Sequence, residues 1–347
     1  MAISQRTSRT KPRVKIEYSS FTLITESAFM KFTAFFLSLC LFASENSYAT
    51  EKTVIRIGVQ AFGTVDWELA ALQTNATEDF QVQIEHLANA EAGKIALQSG
   101  AVDMIVSDWI WVSRMRANGS DFTFYPYSNT SGALIVEKDS PILSVKDLNG
   151  KRLGIAGGEL DKNWLLLQAL AGQEQLDLNA SVEKTYGAPP LINEQLKQKR
   201  IDAALTYWHF AARLEAQNYR QVIDGKSILK ILGIKEEVPS LGYVFKQGWA
   251  NDHKQAVNNF FKASKQAKNQ LCTSETAWKK ILPLTQSDDL STQAKLRQRY
   301  CEGGIEHWGE AEQLAAGRIY TMLRTLSNNL LTGQSENLQQ GTFWSVE

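Results

Sequence analysis

Residues 54–67, VIRIGVQAFGTVDW, decide the fold. The run opens apolar and β-branched from Val54 to Gln60, the composition of a buried strand. It then passes through a loop holding Phe62 and Gly63 and turns helical at Trp67. The same progression recurs along the chain. Strands are predicted at 81–87, 103–107, 122–127, 133–137, 152–156, 181–186, 203–207 and 241–246. Helices are predicted between them at 67–74, 93–98, 109–117, 162–170, 190–199 and 208–217, the fifth opening on Pro190, where a missing N–H costs nothing. Apolar strands alternating with helices define an α/β protein whose sheets are covered on both faces.

From about Asn251 the pattern becomes almost wholly helical to residue 330, with Val257, Phe260, Phe261, Ala267 and Leu271 at helical spacing. A strand-rich start, a strand-rich middle and a helical end imply two lobes crossed twice by the chain. The crossings are expected at Ser128–Leu134 and Pro239–Val244, beside Gly132 and Gly242, which can absorb a hinge's backbone change. The expected division is residues 50–130 with 242–331 for the first lobe, 131–241 for the second, and 332–347 as a polar tail that frays unless Phe343 and Trp344 dock.

Upstream of the body, Met30–Lys31, the apolar run Phe32–Phe42 and the small residues Ser47 and Ala49 have the layout of an export signal peptide, residues 30–49. The run is shorter than the roughly 20 residues a membrane span needs. Residues 1–29 show no such layout and are expected to be a spurious extension, with Met30 the true start. Leu39 is too large for a lipoprotein box at Cys40, so no lipid anchor is expected. Of 37 basic and 37 acidic residues, the first 49 positions hold six and three, which leaves 31 against 34 in the body. That balance gives no footprint for nucleic acid or a membrane surface. Cys272 and Cys301 are the only cysteines past the leader and are expected to pair in an oxidising compartment. Neither has companions at metal-ligand spacing.

Ligands of open α/β sheets bind beyond the carboxyl ends of the strands. Five of the nine tryptophans sit there, in Gln60–Trp67, Ser107–Trp111, Gly157–Trp164 and Tyr207–Phe210. Trp67, Trp109, Trp164 and Trp208 are read as walls of an aromatic pocket, against the alternative that they fill the core, and Trp111 suits the core. Asp66, Asp108 and Asp161 recur at helix starts, as N-caps or as partners of a ligand. Gly157–Gly158 permits close backbone approach at a helix start. The candidate ligand-binding set is Gln60, Phe62, Gly63, Asp66, Trp67, Ser107, Asp108, Trp109, Ser128, Asn129, Gly157, Gly158, Asp161, Trp164, Tyr207, Trp208 and His209. Carboxylates beside tryptophans suit a planar, neutral or cationic ligand better than an anion. No nucleophile elbow, HExxH, P-loop or Cys–His pairing occurs, so no catalysis, metal or cofactor is expected.

The stretches VIRIGVQAFG (54–63), AGKIALQSGAVDMIVSD (92–108), SVKDLNGKRLGIAGG (144–158) and LKQKRIDAAL (196–205) resemble, in order and spacing, the periplasmic solute-binding proteins of NitT/TauT-type ABC importers. The resemblance spans residues 53–325. It implies a type II periplasmic binding fold of two α/β lobes joined by a double-crossing hinge, with a helical C-terminal segment. It also implies a monomeric periplasmic protein that hands a small molecule to a permease and ATPase. The loops depart from those of the sulfonate and nitrate binders, so no sulfonate is carried over. An enzyme on this fold, resembling the thiamine-pyrimidine synthases or menaquinone-pathway dehydratases, is the alternative. The leader and the missing cysteine cluster oppose it. A periplasmic accessory protein that binds a partner enzyme is a third reading.

Overall fold

The computed structural model describes residues 52–61, 63–73 and 79–345. The leader and the segment before it, with their predicted cleavage site, lie outside the described residues. The first sheet takes β1 (Thr53–Gln60), β2 (Phe80–Leu87), β3 (Met104–Ser107) and β4 (Phe122–Ser128). The second takes β5 (Ala133–Glu137), β6 (Arg152–Ala156), β7 (Glu183–Gly187), β8 (Ala203–Thr206) and β9 (Tyr219–Asp224). β10 (Leu241–Lys246) then returns to the first. The orders are β2-β1-β3-β10-β4 and β7-β6-β8-β5-β9. In each sheet three parallel strands are followed by one antiparallel strand lying between the third and the last.

The repetition extends to side chains. Arg56 of β1 clamps Asp103 ahead of β3 through Nη2–Oδ1 at 2.6 Å, and Arg152 of β6 clamps Asp202 ahead of β8 at the same distance. Each aspartate also accepts the backbone N–H of its arginine, fixing the parallel register. Arg152 opens β6 and Arg56 lies in the first half of β1, so the carboxyl ends are left to the loops.

Some elements differ from the sequence expectation. β9 and the helix Gly225–Ile231 fall where no element is predicted, and YRQVID mixes Arg220 and Gln221 with apolar residues on a half-buried sheet edge. Residues 178–181 form a helical turn capped by Asp177, so β7 starts later than expected.

The helical end packs on the first sheet, with Phe260 and Phe261 against Tyr243. Helices Lys254–Thr273 and Leu290–Glu302 are joined by Cys272–Cys301, whose Cα atoms are 5.6 Å apart. The tail is not frayed. Phe124 donates its N–H to the Thr342 carbonyl at 2.8 Å and accepts from Trp344 N–H at 2.9 Å, which lays Phe343 beside the outer edge of β4. No described helix is long and apolar enough to cross a membrane.

The two crossings run side by side, Ser240 N–H donating to the Ser128 carbonyl at 3.0 Å. Their glycines serve packing rather than backbone freedom. A Cβ on Gly242 would stand 2.2 Å from the Phe124 ring, and one on Gly132 would stand 2.8 Å from the Thr206 carbonyl. Gly242→Ala is therefore expected to cost about 1–3 kcal/mol by overpacking, read as a lower denaturant midpoint with an unchanged slope.

Candidate functional site

The carboxyl ends of both sheets face one another, and the side chains there meet across the gap. The helix Trp109–Ala117 follows β3 and is capped by Asp108, whose Oδ1 accepts the Trp111 N–H at 2.9 Å. The helix Lys162–Gln173 follows β6 and is capped by Asp161, which accepts the N–H groups of Asn163 and Trp164. From the first residue of that helix Lys162 reaches over to Asp108 Oδ2 at 3.1 Å. The first sheet's body is thus joined to the second's by an ion pair.

Gly157 turns the chain after β6 with φ of 100°, a conformation that excludes side chains, and an ideal Cβ there would lie 3.6 Å from the Tyr207 hydroxyl. Asp108, Lys162, Asp161, Gly157 and Tyr207 form one cluster. Burial works to raise the Asp108 carboxyl, but Lys162 and the Trp111 N–H outweigh it and hold it below the ordinary carboxylate range. Burial works to lower Lys162, and the two aspartates raise it above the ordinary lysine value. The pair therefore stays charged across neutral pH. Its contribution is present above the unfolded aspartate pKa near 4 and is lost as pH falls through the depressed value. Burial raises Asp161, against Lys162 and its capping bonds, and it also raises Tyr207.

The other predicted residues separate from this cluster. Three of the four tryptophans fill cores. Trp164 is 1% exposed, Trp109 donates its indole N–H to the Pro239 carbonyl, and Trp67 packs on Trp278 and Tyr300. Trp208 is half-buried and leans on Trp67 at 6.0 Å, tying the second lobe to the first beside the crossings. Three of these rings are thus packed in cores, and Trp208 lines a cavity with Asn129 beside the crossings. Each is one of the first three residues of a helix after a strand, which aims it back onto the sheet.

Asp66 lies inside the first turn of helix Val65–Gln73 and not at its cap, and burial raises its carboxyl. Gln60 donates to the Val106 carbonyl, and Ser128 bonds Thr130 within a buried crossing that also holds Asn129. Ser107 is buried at the end of β3 and His209 is buried in the first turn of the helix Trp208–Glu215, while Gly63 and Gly158 lie exposed in their loops. Phe62 lies outside the described residues. Lys162 was missed by sequence reasoning. Its signal was a cation on the first turn of a helix, where the macrodipole disfavours it unless a carboxylate compensates. Among the described residues no group of His, Cys, Asp and Glu could hold a metal ion.

Two α/β lobes with facing strand ends and two adjacent crossings define the type II periplasmic binding fold. The chain belongs to the NMT1/THI5-like family, whose model matches residues 76–274, more than half of its length. Its fold is that of the periplasmic aliphatic sulphonate binding protein SsuA from Escherichia coli, with a TM-score of 0.66 and 16% identity over 84% of this chain and 92% of that one. SsuA from Xanthomonas axonopodis pv. citri, bound to MOPS, aligns with a TM-score of 0.63 and 15% identity over 85% of this chain and 99% of that one. An ABC transporter protein from Parabacteroides distasonis aligns with a TM-score of 0.65 and 12% identity, over 85% and 100% respectively. No curated protein sequence matches the chain.

Proposed function

We propose that this protein is the periplasmic substrate-binding component of an ABC importer. It captures a small organic molecule between its lobes, performs no chemistry on it, and presents it to a permease and ATPase. The observation that carries this reading is the Asp108–Lys162 pair, which spans the two lobes at 3.1 Å where the strand ends meet. Both carboxylates of the cluster are engaged as helix caps and the lysine is ion-paired across the gap, so these groups hold the lobes together. The lobe boundaries follow the crossings at 128–133 and 239–241, and the leader at Met30–Ala49 directs export.

The ligand is neutral or cationic. Sulfonates are favoured by helix N-termini with open N–H groups, and two of the helix starts facing the gap are already filled by their own aspartates. Native mass spectrometry of protein drawn from its own periplasm is expected to show one retained small molecule per chain. Small-angle scattering of the emptied protein should contract when that molecule is returned, and superimposable curves at saturation would end the closure reading. MOPS and alkanesulfonates should not saturate. Asp108→Asn removes the charge but keeps an acceptor, and it is expected to shift the scattering of the empty form toward the open state.

A further inference from the structure

The helical end packs on the first sheet, yet it also grips the two helices that follow β6 and β8 of the second lobe. Its helix Leu290–Glu302 packs against Trp208–Glu215, and its last helix, Glu310–Leu326, packs against Lys162–Gln173. In the first grip Arg299 holds Glu215 by two bonds, Nε to Oε2 at 2.9 Å and Nη2 to Oε1. The Glu215 side chain is only 9% exposed. Arg213 of the same helix donates to the Thr285 carbonyl, and Trp208 tilts onto Tyr300 at 6.3 Å. In the second grip Ile319 and Tyr320 share one core with Trp164 and Leu167, and Arg318 pairs with Glu236 at 2.8 Å.

Neither gripping helix is free to follow the second lobe. Leu290–Glu302 is tied to Lys254–Thr273 by Cys272–Cys301. The chain after Glu310–Leu326 is pinned to the first lobe, where Gln339 N–H donates to Ser113 Oγ at 2.9 Å, Arg116 Nε donates to the Gln340 carbonyl at 2.7 Å, and Trp344 N–H donates to the Phe124 carbonyl. Rotation of the second lobe about the crossings therefore draws Glu215 away from Arg299. Contacts made in one arrangement and lost in the other bias the balance toward the first. We propose that the helical end is a latch, anchored to the first lobe at two points and holding the second through Arg299–Glu215 and the Glu310–Leu326 seam, which limits how far the empty lobes part. It rests on the closure reading above and is a restraint separate from the Asp108–Lys162 pair.

Nitroxide labels on Ile95→Cys and Leu143→Cys, 64% and 72% exposed on the first and second lobes, report the interlobe distance of the emptied protein by double electron–electron resonance. Arg299→Met is expected to raise the ratio of long to short distances about 10-fold, because it leaves a buried carboxylate that only an opened form can hydrate. Glu215→Gln keeps the shape and an acceptor, should move the ratio in the same direction, and tests the latch even if Arg299→Met fails to fold. Arg297→Met lies on the same helix, but its bonds to the Leu271 carbonyl and Glu275 stay within the first lobe, so it should leave the distances as in wild type. Wild-type distances in both Arg299→Met and Glu215→Gln overturn the latch, as does an equal shift in Arg297→Met. If Asp108→Asn lengthens the distance while those two do not, the latch alone fails; if none of the three does, the closure reading fails with it.

Discussion

Lys268→Met is expected to lower folding stability by about 3–5 kcal/mol, because it strands a carboxylate in the core. Glu68 Oε1 accepts the Tyr300 hydroxyl at 2.6 Å and faces Lys268 Nζ at 3.5 Å, while Tyr243 and Ser264 close in on its other oxygen. The ammonium also lies 4.8 Å and 5.0 Å from the ring centres of Tyr127 and Tyr300. Burial already pushes the Glu68 carboxyl up, against the pull of Lys268 and Tyr300, and without the lysine it rises further. A group with a raised folded-state pKa gives stability that is present below its unfolded value and lost as pH rises through the folded one. The variant should therefore come nearest to wild type below about pH 4 and fall furthest behind at neutral pH. Glu68→Gln combined with Lys268→Met should recover part of the loss. Denaturant unfolding at two pH values measures all three, and a pH-independent deficit would refute the stranded-charge account.

Replacing both cysteines, Cys272→Ser with Cys301→Ser, is expected to cost about 3.5 kcal/mol on the chain-entropy model for a loop of this length. The bridge, at a sequence separation of 29, ties together two helices that carry Phe261 and Tyr300 into one core. Equilibrium unfolding of oxidised wild type and the double variant gives the number. Equal midpoints would mean that helix packing alone fixes that corner.

Most strands were legible because buried β-branched runs leave a periodic signal that survives without context. β9 was not, since a sheet edge accepts Arg220 and Gln221 as readily as a loop does. The tryptophans misled for a physical reason. Trp67 and Trp164 are each the third residue of the helix after β1 and β6, the strands second in their sheets' order, and Trp109 and Trp208 are each the first residue of the helix after β3 and β8, the strands third in that order. Their recurrence comes from one packing arrangement used twice, which from sequence is indistinguishable from a lined cavity. All three aspartates lie at helix starts, and the capping alternative is what Asp108 and Asp161 do, while Asp66 sits inside its first turn. The ion pair spanning the lobes joins residues 54 positions apart. No local pattern announces such a contact.

The position of β10 has a consequence for how the protein is made. β4 is an edge strand whose neighbour in the first sheet is β10, and β10 also separates it from β3. Until residues 241–246 have emerged, β4 has no strand to join, whereas the second sheet is complete with residue 224. Vectorial synthesis thus lets the later lobe fold first, while the earlier one waits with a strand-wide gap and unpaired backbone groups on both sides of it. A chain halted before Leu241 would hold a finished second lobe and an unfinished first one, open to insertion by any extended segment that reaches it.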